Sequence, residues 1–270
     1  MGLITGKVRS SEKVATYRLD IEYIGADWHG WQIQPQHPTI QGAIESAFNT
    51  ALRQHVNVVG SGRTDTGVHA SGQVAHVVIE GEFDSRRVLG SLRGLLPRSI
   101  AVRSLRPVHD AFHARFDAQS RQYRYRLGTI PFAIDESIRW YLRPAPDIDQ
   151  MNEATSLLLG QHDFDSFCRA QSETENRICT VEYAAWTSVA GREGMYDFVI
   201  RADRFLHGMV RAIVGTLVEV GHGKRAVADI TTILAAHDRT HAGPAAPAHG
   251  LMLEKVYYPD DSPPESDHPA

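Results

Sequence analysis

Cysteine is scarce: Cys168 and Cys179 are the only two among 270 residues. Two thiols build no disulfide framework, and without a Cys-pair or Cys/His frame they build no zinc site. They read as ordinary thiols of a reducing cytoplasm. Long apolar runs are also missing. No stretch approaches the roughly 20 apolar residues of a membrane span. Met1–Gly6 has no apolar signal core, and Gly6 breaks the myristoylation pattern. The expectation is a cytoplasmic protein that engages no membrane. Two phosphate signatures fail as well. No Gly-Lys-Ser/Thr ending of a P-loop is present, and the Gly60-x-Gly62 start of a dinucleotide fingerprint puts Asp65 where its third glycine belongs.

What is present suits one large domain or two fused small ones, with 42% hydrophobic residues to fill a core. The most informative stretch runs from Val58 to Ala70. A β-branched run enters it, Gly60, Gly62 and Gly67 allow a tight path, and Asp65 sits at the tip between Thr64 and Thr66. A second β-like run, Gln73–Ile79, leaves it. Arg63 and Asp65 on such a loop are placed to meet a ligand. A plain hairpin turn, with Asp65 bonding nearby amides, fits the same residues.

The net charge of −4 averages over unlike regions. Between Ser85 and Arg143 there are twelve arginines against four acidic residues, a local excess of eight. Asp260, Asp261, Glu265 and Asp267 lie among prolines, so residues 259–270 read as a disordered acidic tail. A local field of that kind steers a polyanion whatever the net charge.

Periodicity shows one unit repeated. Tyr17, Leu19, Ile21 and Tyr23 alternate with polar residues as a strand, and Ile40 to Leu52 recur at helical spacing behind Thr39 as N-cap. Strands near 56–60, 73–80 and 99–106 and a helix near 84–95 complete a β-α-β-β-α-β order. The second half repeats it, with strands near 121–128, 178–186, 195–202 and 250–258 and helices near 149–159, 205–220 and 225–236. The expected fold class is α+β: two ferredoxin-like halves, residues 1–113 and 114–258. They join edge to edge into one mostly antiparallel sheet with helices on one face and a central cleft. Tyr123 and Tyr125 point to one side of their strand, and Gln122, Arg124 and Arg126 to the other. On the helix after Phe205, Arg211 falls at the edge of the apolar stripe, next to His207.

Five blocks carry a resemblance that runs from about Tyr17 to Tyr258. They are Tyr23-Ile24-Gly25 with Gly30-Trp31-Gln32; Gly62-Arg63-Thr64-Asp65 with Gly67-Val68-His69-Ala70; Phe112–Phe116 with Arg121–Tyr125; Phe205–Arg211; and Ala246–Leu253. In this order they resemble the tRNA pseudouridine synthase A family. Thr66 departs from the family pattern, which has a small alanine after the aspartate.

The resemblance implies isomerisation of uridine to pseudouridine in tRNA. The bond from ribose C1′ to N1 breaks, the bound uracil turns, and C5 bonds to C1′, with neither cofactor nor metal required. It implies Asp65 as the essential carboxylate, by attack at C6, attack at C1′ or assistance to a glycal path. Tyr123 would stack on the base and relay a proton, and Arg211 would pair with Asp65. Arg63 is implied at the flipped nucleotide, Leu251 in the pocket wall, and Arg115, Arg121 and Arg124 as RNA contacts. Implied partners are the tRNA anticodon arm, at uridines thirty-eight to forty, and a second copy of the chain. Two other classes stay open on the residues alone: a non-catalytic RNA-binding module, and a metal-dependent hydrolase built on His109 and His113. The fourteen histidines are scattered and lack an H-E-x-x-H frame.

Overall fold

A computed structural model of the chain describes residues 14–169 and 175–259. The expected acidic tail lies, beyond Pro259, outside them. β1 (Val14–Tyr23) is the alternating strand, with Leu19, Ile21 and Tyr23 buried. α1 (Ile40–Leu52) starts where the Thr39 hydroxyl accepts the Gly42 N–H at 3.3 Å, an N-cap worth about 1 kcal/mol. β2 (Val58–Gly60), β3 (His69–Glu80), α2 (Ser85–Leu95) and β4 (Ile100–Pro107) complete the first unit. The second has β5 (Ser120–Gly128), a short β6 (Trp140–Tyr141), α3 (Ile148–Ser156), β7 (Gly160–Asp163), β8 (Ile178–Ser188), β9 (Met195–Ala202), α4 (Met209–Gly221), α5 (Asp229–Ala236) and β10 (Leu251–Tyr257).

These strands form one sheet in the order β4-β1-β3-β10-β5-β9-β8-β7, with β2 on β3 and β6 on β5. Each half has the ferredoxin-like neighbour order: β4-β1-β3-β2, then β10-β5-β9-β8. Pairing is antiparallel except β6 on β5 and the seam, where β10 meets β3 in parallel at Met252↔His69 and Leu253↔Ala70. Gly72 is needed there, since a Cβ on it would stand 2.1 Å from the Glu254 carbonyl oxygen.

One sheet face is apolar and covered. Leu19, Ile21, Val77 and Ile79 share one buried core with Ile40, Ile44 and Phe48 of α1, and Leu127, Phe198 and Ile200 belong to it with Met151 of α3 and Ile213 and Leu217 of α4. The other face carries ion pairs: Arg124 with Asp197 and Glu254, Arg139 with Asp197, and Arg201 with Glu182. Both cysteines are buried and unpaired.

Three differences from the sequence reading have local causes. α4 begins at Met209 rather than near Phe205, because Gly208 at its N-cap has φ +74°. β6 and β7 have two and four residues, too short for a period to show. α5 is limited to 229–236.

Candidate active site

The Asp65 loop joins β2 to β3 and is braced on every side. Tyr23 Oη and Thr64 Oγ1 share a 2.8 Å hydrogen bond, Trp31 N–H donates to Thr64 O at 3.0 Å, and Gln73 Nε2 donates to Gly62 O at 2.8 Å. Gly30 makes the close approach: its φ is +83°, and a Cβ on it would lie 2.5 Å from Thr64 O. The Gly30-Trp31 block therefore serves to hold the loop.

At the tip the Asp65 carboxylate, about three-quarters covered, meets a guanidinium and an imidazole from the second half. Arg211 Nη1 of α4 lies 3.5 Å from Oδ2, and His207 Nε2, just before α4, lies 3.2 Å from Oδ1. Arg211 is aimed by a second bond, Nε–H to Ala246 O at 2.7 Å, and its own carbonyl accepts the Ala246 N–H at 2.9 Å. A carboxylate placed between a guanidinium and an imidazole is held in a fixed orientation.

Tyr123 of β5 lies on the same side. Its ring is buried edge-on against Phe205, with centroids 5.0 Å apart. Its hydroxyl makes no hydrogen bond to any described residue. Burial, then the fields of Tyr23 and Asp65, push its pKa well up, so the phenol stays protonated. A neutral O–H with no partner among the described residues, within the field of the Asp65 carboxyl, is a donor left for a ligand. Tyr125, two residues on, is different: fully buried, it donates to Pro247 O at 2.9 Å.

The family profile described as tRNA pseudouridine synthase matches residues 21–117 and 154–259 of this chain. The chain belongs to that family. It is 42% identical over 245 residues to the tRNA pseudouridine synthase A of Bacteroides thetaiotaomicron, covering 91% of each chain. It is 43% identical to that of Brevibacillus brevis, covering 89% of this chain and 98% of the relative, and 44% identical to that of Geobacillus kaustophilus, covering 89% and 93%. The synthase is thus an isomerase that makes pseudouridine from uridine in tRNA.

The other residues singled out in the synthase sequence fall into two groups. Arg63 and Arg115 are exposed and form no ion pair with a described residue. Arg121 and Arg124 are engaged within the protein. Arg121 donates to the carbonyls of Ala118, Asp203, Ser61 and Arg115, and so ties the Asp65 loop to β5. Arg124 is paired to Asp197 and Glu254 on the sheet face opposite Tyr123. Leu251 is buried at the start of β10, in register with Tyr125. Thr66 is exposed next to the carboxylate.

Sequence reasoning assigned no role to two features of the synthase site. One is His207. The other is the strap 246–250, which reaches Arg211 through Ala246, Tyr125 through Pro247 and His69 through His249 O at 3.1 Å. Its Ala248 packs under Gly67, where a Cβ would lie 3.3 Å away. The signal was the small-residue run Ala246-Pro247-Ala248-His249-Gly250, which lets a backbone pass close to three side chains. His109 and His113, the pair weighed as metal ligands, lie in a turn where His113 Nδ1 already accepts two backbone N–H groups.

Proposed function

We propose that this synthase isomerises uridines thirty-eight to forty of the tRNA anticodon arm, as a cytoplasmic homodimer with one tRNA across both subunits. The observation that carries the catalytic assignment is the Asp65 carboxylate between His207 and Arg211, with the Tyr123 phenol inside its field. Asp65 is the essential carboxylate. Arg211 keeps it aimed, and Tyr123 stacks on the target base and supplies the nearby O–H for proton relay. Leu251 belongs to the apolar wall that keeps a detached uracil from escaping before C5 bonds to C1′. Arg63, on the same loop and unpaired, stabilises the flipped nucleotide, whose extrusion costs a few kcal/mol. Arg115 contacts RNA directly; Arg121 and Arg124 act through the backbone and carboxylates they hold. The chain divides into an aspartate-bearing half, 1–113, a half bearing tyrosine and arginine, 114–258, and the tail 259–270.

The reaction moves one base between two of its own atoms, so it requires neither an electron acceptor nor a hydrolytic water. The excess of eight positive charges between Ser85 and Arg143 supports a polyanionic substrate. The test is pseudouridine mapping of an unmodified tRNA carrying uridines at all three positions, with no metal or nucleotide added. Wild type is expected to modify those positions and Asp65→Ala none. Product from Asp65→Ala overturns the catalytic assignment; modification elsewhere overturns the positions.

A further inference from the structure

Phe116, in the segment joining the two halves, is 75% exposed. Fraying does not explain it. All five backbone N–H groups from His113 to Asp117 are bonded: His113 to Asp117 Oδ2 at 2.8 Å, Ala114 to His76 Nδ1 at 3.1 Å, Arg115 and Phe116 to His113 Nδ1 at 3.2 Å, and Asp117 to His113 O at 3.0 Å. Tyr258 Oη donates to Ala114 O at 2.6 Å, and Arg121 Nη2 to Arg115 O at 2.7 Å. A turn so completely bonded presents its aromatic tip in a fixed position. The His113 ring backs one face of Phe116, with centroids 4.2 Å apart and planes 29° apart.

We propose that Phe116 is a stacking platform for an unpaired base of the bound tRNA, outside the catalytic pocket, with Arg115 at an adjacent phosphate. The proposal rests on the tRNA reading above. A rigid ring with one face supported is what a splayed base stacks on, and the exposed Arg115 guanidinium, 5.7 Å from the ring centroid, supplies the cation. The platform is coupled to the pocket. The Arg121 nitrogen that holds Arg115 O also donates to Ser61 O in the Asp65 loop, which displays the exposed Arg63. Two exposed arginines, Arg115 at the ring and Arg63 on the linked loop, neither ion-paired to a described residue, favour a polyanion over a protein partner as the occupant.

Three variants test it: Phe116→Ala, Phe116→Leu and Phe116→Trp. Filter binding gives the Kd for tRNA, and single-turnover assays at saturating tRNA give the rate of the chemical step. Stacking predicts that Ala and Leu both raise Kd about tenfold while the saturated rate stays within about twofold. Trp is expected to restore affinity and to show tRNA-dependent quenching beyond that of the four tryptophans already present in wild type. Leu binding as tightly as wild type overturns stacking, because it keeps the apolar area without the ring. An unchanged Kd with Ala, together with a shift in sedimentation, overturns it in favour of a contact between chains. Product formed by Phe116→Ala at saturation keeps the synthase reading intact whichever way the Kd falls.

Discussion

Asp65 meets two nitrogen donors that differ in what fixes them. Arg211 is held at both ends of its fork, by Ala246 O and by the carboxylate, whereas His207 is 44% exposed and reaches the other oxygen from the mouth of the site. A lysine in place of Arg211 keeps the charge but cannot donate to Ala246 O and Asp65 together. Arg211→Lys is therefore expected to lower the single-turnover rate about a hundredfold, the scale of a misplaced reacting group. Its Kd for tRNA should stay within about twofold. His207→Gln keeps an N–H donor of similar reach and should cost about tenfold or less. Wild-type turnover in Arg211→Lys would show that charge alone suffices. Sequence showed these residues unevenly. Asp65 stood out because glycines and threonines framed it, but Arg211 sat at a helix edge where most arginines face water, and only the family resemblance selected it. His207 gave no signal, since one histidine before an apolar helix is unremarkable until the fold brings a carboxylate to it.

At the scale of elements, a close backbone approach within the first half holds the Asp65 loop, and glycine is required only where such an approach occurs. Gly30 and Gly90 show the contrast. Gly30 combines φ +83° with a Cβ position 2.5 Å from Thr64 O, whereas nothing lies within 4 Å of a Cβ on Gly90 in α2. Gly30→Ala is expected to destabilise the fold by about 2–4 kcal/mol, from left-handed strain plus overlap with the loop. It should also lower activity by displacing Asp65. Gly90→Ala should be neutral or stabilise by up to about 1 kcal/mol, through the lower entropy of the unfolded chain. Urea unfolding and pseudouridine formation check both, and equal stability of the two variants would refute the account. The regular elements were legible because β1 alternates and α1, α3 and α4 carry helical stripes. The start of α4 was not: Leu206 continues the apolar stripe through a turn that only the left-handed Gly208 ends. β7 is polar and four residues long, and it exists only because β8 offers it an edge.

Across the whole molecule, one buried histidine joins the halves at their seam. His69 Nδ1 accepts the Gly25 N–H at 2.9 Å, so its proton resides on Nε2, which donates to His249 O at 3.1 Å. Burial lowers its pKa from the ordinary 6.5, the nearby His249 and Arg126 charges add to this, and the bond to His249 O opposes it. His76 is also lowered, by burial and then by His113, with Asp117 opposing; its Nδ1 accepts the Ala114 N–H. Protonating either Nδ1 replaces an acceptor by a donor facing an N–H. The unfolded chain takes up these protons as pH falls through about 6.5, before the folded chain does. The stability these neutral rings contribute is thus complete above that value and declines below it, by up to about 1.4 kcal/mol per pH unit for each ring. Free energies of urea unfolding measured from pH 7.5 down to 5.5 should show the decline. His69→Asn can still accept from Gly25, through Oδ1, without titrating, so it should flatten the slope by up to one proton. An unchanged slope in that variant would place the acid sensitivity elsewhere than at the seam.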